Sequence, residues 1–270
     1  MTVSRREFLE SSAAVSAAAT APEPSPDGVR DGPASPHFSP VPLRGNITVE
    51  GLAAAGLSEA MTKAVPRAPR GACISWGIPF QIDRLVLLKD GPVTEKTPGL
   101  RAGWLVFLHT TDSRPLERDE QGFIRPMRGE GRLAEHVADY VIVYSDGTQA
   151  RQAVHRRHQV GMFRPRWGEN CFQAVAHTKP HPLRPLHEQP SMLVDAGAGL
   201  GWGTAETRAR SADRGPWVNW LWAWKNPHPQ KEIAALRFEA KSGVAIISGV
   251  SAGTASAEPL RWRCQPRRRR

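Results

Sequence analysis

The chain has 270 residues, enough to bury a sizeable core without disulfide staples. Its three cysteines, Cys73, Cys171 and Cys264, form neither a disulfide framework nor a C-x-x-C zinc spacing. The net charge of +10 is concentrated at one end: Arg261, Arg263 and Arg267 to Arg270 lie in the last ten residues, and without these six, 30 Lys and Arg face 26 Asp and Glu. The body is therefore only mildly basic, and a nucleic-acid groove that tracks phosphates is not expected.

The chain opens with Ser4-Arg5-Arg6-Glu7-Phe8-Leu9, followed by Ser11 to Ala21, a short, weakly apolar run with small residues suited to a signal peptidase. This segment resembles a twin-arginine (Tat) export signal, in which paired arginines hold the chain at an anionic membrane face. The run is too short to span a bilayer as a mature helix, and no Cys near Ala19 to Pro22 offers a lipid anchor. Residues 1–21 are expected to be the signal, and the product a soluble periplasmic or extracellular protein with no integral membrane segment. From 22 to 70 the composition shifts to Pro, Ser, Gly and Ala, and nine of the 24 prolines fall there, so the stretch reads as a disordered linker. Val49, Leu52, Leu57 and Met61 only sketch a helical spacing within it.

Residues 71–262 carry a strand-like pattern, ahead of a basic tail at 263–270. Trp76 to Ile82, Leu85 to Leu88 and Gly103 to His109 are apolar and rich in β-formers. Asp139 to Tyr144 leads through Asp146-Gly147 into Gln149 to His155, which predicts a hairpin on a two-residue turn. Cys171 to His177, Val218 to Lys225, Ile233 to Ala240 and Val244 to Val250 follow, each bounded by turn residues. With no convincing amphipathic helix between them, these strands predict an all-β fold, a β-sandwich or jelly roll, with long loops over Thr111 to Arg132 and His177 to Pro216. Loops of that length commonly carry binding residues.

Catalytic signatures fail on their chemistry. Gly249-Val250-Ser251-Ala252-Gly253 matches G-x-S-x-G after a strand, yet no His or Asp follows Ser251 to complete a triad in that fold's chain order. The glycines from Gly197 to Gly203 alternate as G-x-G-x-G-x-G with no Lys-Ser or Lys-Thr after them, which reads as a flexible loop. His155 with His158, and His177, His181 and His187, match no zinc spacing, so no metal and no cofactor is expected. Asp139, Asp146, Glu169, Asp195 and Glu206 are available as paired carboxylates, but nothing selects a pair.

Four of nine tryptophans lie in Trp217 to Trp224, and on a strand Trp220, Trp222 and Trp224 share one face. Facing inward they would form core; facing outward they would form a platform for sugar rings, and exposure of three adjacent indoles favours the first. The body resembles the galactose-binding-like β-sandwich modules of exported bacterial polysaccharide-processing proteins. The resemblance rests on Gly77-Ile78-Pro79-Phe80, on Leu105 to Thr111, on Asp139 to Gly147, and on Trp224 to Ile233, which contains Asn226-Pro227-His228-Pro229. It implies a non-catalytic module that binds carbohydrate or supports a polysaccharide-processing enzyme, either alone or as part of a longer protein. The residues expected to hold a ligand are Trp167, Trp202, Glu169, Asn170, His109 and Asp112. Two alternatives stay open: a glycoside hydrolase or lyase with converging acids, and a structural module packed on a partner catalytic domain.

Overall fold

The computed structural model describes residues 32–116, 118–123, 130–166, 169–178, 182–185, 193–195, 206–207 and 215–260. The expected signal and basic tail lie outside them. Within them the regular structure is mostly strand. The strands are β1 (Phe38–Val41), β2 (Gly71–Ser75), β3 (Ile78–Ile82), β4 (Val86–Leu88), β5 (Val93–Leu100), β6 (Trp104–Thr111), β7 (His136–Tyr144), β8 (Gln149–His155), β9 (Ala174–Ala176), β10 (Pro182–Pro185), β11 (Leu193–Asp195), β12 (Glu206–Thr207), β13 (Trp220–Lys225), β14 (Ile233–Ala240) and β15 (Ala245–Gly253). One α-helix, α1 (Glu59–Ala64), precedes β2. The all-β expectation is met at this level.

The strands form antiparallel sheets. The largest runs β1-β15-β6-β13-β9, with β4 also on β15; a second runs β5-β14-β7-β8; β2 and β3 form a hairpin, and β11-β10-β12 a small separate sheet. All eight residues of β6 are buried, because it is central and covered on both faces. Leu105 and Phe107 belong to one apolar cluster, shared with Tyr140, Ile142, Leu236 and Phe238 of the second sheet. Trp104, Val106 and Leu108 belong to another. The period of two sends alternate residues of one apolar run to opposite faces, and both faces need a cover.

The tryptophan strand follows the same rule. Trp220, Trp222 and Trp224 join the first cluster and Leu221 the second, and Phe107 stacks on Trp222 at 5.4 Å between ring centroids. The inward orientation is the one adopted, so these indoles are core and offer no sugar platform. On β15, Ile247 and Val250 share a face although they are three residues apart, because the register against β6 shifts between Ile247 and Gly249, as a bulge requires.

The second cluster explains a difference from the expected 22–70 linker. Val49, Leu52, Met61, Ala64 and Val65 are buried in it beside Phe80 and Leu108, and β1 pairs with β15. The folded unit therefore begins by Phe38, and residues 38–70 supply the lid for the outer face of the central sheet. Ser58 caps α1 by accepting from the Met61 amide, Glu59 pairs with Lys63 one turn on, and the chain leaves α1 through a 3-10 turn containing Pro66. The β7–β8 hairpin also differs in detail. Its turn has three residues, with only Gly147 at positive φ (83°), and the Asp146 carboxylate accepts from the Thr148 amide and hydroxyl.

Candidate functional site

The end of β6 is where the longest described loops converge. Thr111 exchanges backbone hydrogen bonds with Gly161 and Phe163, which lays the 161–166 segment beside the strand, while residues 113–116 continue from its end. Between them lies a cleft of about 870 Å³, lined by Ser58, Ala60, Ser113 to Leu116, Arg118, Glu130 and Met162 to Arg166. Among the described residues the lining carries four arginines (Arg114, Arg118, Arg164, Arg166) and one acid, Glu130, whose carboxylate is 2.5 Å from Arg166 Nε, while Arg114 pairs with Glu135 behind the wall. Leu116, Met162, Phe163 and the prolines supply apolar surface between the charges.

Arg114 also belongs to a buried ionic cluster behind the cleft. Glu135 accepts from Arg114, lies 2.8 Å from Arg156 Nε, and is flanked by Arg132; Ser242 Oγ donates to it at 2.6 Å and accepts from Arg114 at 2.7 Å. Arg156 is fully buried and donates to Thr111 Oγ1 and to the Asp112 carbonyl. Burial pushes its pKa down to about 10, opposed in part by Glu135. Gly243 covers the cluster where a Cβ would meet Arg114 Cδ at 2.9 Å and Arg156 Nη2 at 3.1 Å.

The expected ligand residues divide. Asp112, 3 % exposed, accepts from the amide and hydroxyl of Ser58 and from the Ser113 amide, so it braces the cleft wall by fastening the start of α1 to the end of β6. Glu169 accepts from the Gly131 and Arg166 amides at 2.7 and 2.9 Å and ties two lining loops together. Asn170 is exposed on the same loop. His109 does not reach the surface. Its strand continues to Thr111, and its ring is enclosed between Tyr140 Oη (2.7 Å) and the Gln159 carbonyl (2.9 Å). The carbonyl can only accept, so Nε2 donates to it and Nδ1 accepts from Tyr140. At His109 and Asp112, expected as ligand residues, the polar groups belong to an interior network. Trp167 and Trp202 lie outside the described residues.

Sequence reasoning missed the four arginines. Arg164-Pro165-Arg166 was the one local signal, a pair of cations held apart by a rigid residue, and only the fold brings Arg114 and Arg118 opposite it. Ser251 of the G-x-S-x-G segment is buried within β15 and donates to the Ser39 carbonyl. Among the described residues no group of three or more His, Cys, Asp or Glu could hold a metal ion, and no helix is long and apolar enough to cross a membrane. No protein-family model, curated protein or solved structure matches the chain.

Arginine forks match planar or tetrahedral oxyanions in two-point hydrogen bonds, and the apolar strips between them can take the C–H face of a ring. The arrangement therefore suits a ligand that repeats negative charge along an otherwise uncharged framework. Among the described residues the lining holds one carboxylate, Glu130, which is ion-paired with Arg166.

Proposed function

We propose that this chain is a β-sandwich binding module, exported through the Tat route, that holds an anionic polysaccharide in the arginine cleft and serves as an accessory to polysaccharide processing. The observation that carries the reading is that, among the described residues, four arginines and one glutamate line a cleft of about 870 Å³ at the loop end of the central strand, with Arg114 paired to Glu135 and Arg166 to Glu130. The two facing sheets and the resemblance to galactose-binding-like modules support the architectural part. Carboxylated or sulfated sugars supply what the cleft asks for: oxyanions for the guanidinium groups and ring faces for Leu116 and the prolines. A module that covers its tryptophan face with a partner domain is less favoured, since Trp220, Trp222 and Trp224 are already buried within this chain.

Calorimetric titration with a polyuronate, a sulfated glycan, a neutral glucan and a single-stranded oligonucleotide tests the proposal. The expected result is millimolar to micromolar binding of the charged glycans, about −4 to −8 kcal/mol, weakening with salt and absent for the glucan. Arg164→Gln with Arg166→Gln should cost about 10- to 100-fold, the worth of one or two charge-assisted contacts. Equal binding of the neutral glucan, preference for the oligonucleotide, or no binding by a folded sample would overturn the reading.

A further inference from the structure

A second cationic surface lies at the opposite end of β6. Residues of and after β1 and the outer edge of β5 border a groove of about 680 Å³. Among the described residues its charged lining is Arg44, Lys96 and Arg101, with no acid, and its apolar floor includes Val41, Leu43 and Leu100. The walls are fixed to each other: Glu95 on β5 accepts from the Arg44 and Gly45 amides at 2.7 and 3.0 Å. Arg44 and Lys96 are exposed, and neither side chain makes an ion pair among the described residues. Pro40 on β1 and Pro98 on β5 remove backbone donors from the two strands, which disfavours an added β-strand as occupant and leaves recognition to the cationic side chains.

We infer that this groove is a second binding face for the same class of ligand, so that a long anionic polysaccharide is held at both ends of the central strand while a short oligosaccharide occupies one site at a time. The inference rests on the cleft reading above. The seven residue steps of β6 set the two sites roughly 23 Å apart. Linking two weak sites through one polymer raises its apparent affinity without any new contact.

The test compares an oligouronate of three or four sugars with the corresponding long polyuronate. For the native chain the polymer is expected to bind about 10- to 100-fold more tightly per chain, a conservative share of the gain that linkage allows. Arg44→Gln, Lys96→Gln and Arg101→Gln together should remove at least ten-fold of that advantage and leave oligouronate binding at the cleft unchanged, with Lys96→Gln alone as the smaller perturbation if the triple variant melts early. The cleft pair Arg164→Gln and Arg166→Gln should do the reverse, weakening the oligouronate and leaving residual, groove-dependent polymer binding. Polymer affinity that is indifferent to the groove variant while the oligouronate still binds sinks this inference and spares the cleft. Failure of both ligands sinks both. Stronger groove-dependent binding of polyglutamate than of polyuronate assigns the groove to an acidic polypeptide instead.

Discussion

Lowering the pH from 7 to 5 should destabilise this protein before any carboxylate network is lost, because two histidines are buried in the neutral state. His109 and His177 are 0 % and 4 % exposed, and burial pushes both down to about 4 from an ordinary value near 6.5. For a base with a depressed folded-state pKa, the unfolded chain takes up the proton first. Stability is then full above 6.5, falls as the pH drops toward 4, and levels off below that. Each group accounts for about 2 kcal/mol at pH 5 and about 3 kcal/mol at pH 4, so the pair removes about 4 kcal/mol by pH 5 from a total that is typically 5–15 kcal/mol. His155, lowered mainly by its partial burial and then by His136 and His158, adds in the same direction. Asp139 and Glu239 act in a separate window. Hydrogen bonds from His136, Arg151 and Lys241 outweigh the burial of Asp139, Arg151 holds Glu239 down, and their contribution fades only as the pH falls below the ordinary carboxylate range. Urea denaturation at half-unit steps between pH 7.5 and 4.5 measures the slope, and His109→Gln should remove about half of it. A flat profile, or a variant with the native slope, would refute the buried-neutral assignment.

Three further perturbations follow from the packing. Gly161→Ala places a Cβ 2.5 Å from the Trp220 indole, whose Nε1 donates to the Met162 carbonyl; a loss of about 1–3 kcal/mol and a changed Trp emission are expected in thermal and fluorescence melts. Glu135→Gln leaves the buried Arg156 guanidinium without its counter-charge and should cost about 3–5 kcal/mol by chemical denaturation, whereas Glu59→Gln, in an exposed helical pair, should cost no more than about 0.5 kcal/mol. Ser58→Ala removes both the α1 cap and a partner of Asp112, so a loss of at least about 1 kcal/mol is expected, accompanied by weaker ligand binding in the same titration because the cleft wall loosens.

Which parts of this molecule could be read from its sequence depends on how many faces of an element are buried. The strands at 104–111, 136–144, 220–225, 233–240 and 245–253 announce themselves because a strand buried on one face alternates and a strand buried on both is apolar throughout. The edge strand β5 does not, since only Glu95 and Thr97 of its eight residues are buried and it carries Pro98 and Gly99. Residues 38–70 mislead for a related reason. Their few apolar side chains, spaced by Pro, Gly and Ala, have no periodic partner within the segment and become ordered only against the outer face of β6 and β13. A chain that makes its central strands apolar on both faces must find a second cover, and that requirement is visible in Trp104 to Thr111 even though the identity of the cover is not. The cleft is less legible still, because Arg114, Arg118, Arg164 and Arg166 come from two loops nearly fifty residues apart, and what joins them is the pairing of Thr111 with residues 161–163. Asp112 and Glu169, chosen for their chemistry, turn out to hold the walls on which those arginines stand. A polar residue at the end of a buried strand is as well placed to fix a binding loop as to touch a ligand, and the backbone amides that surround it decide between the two.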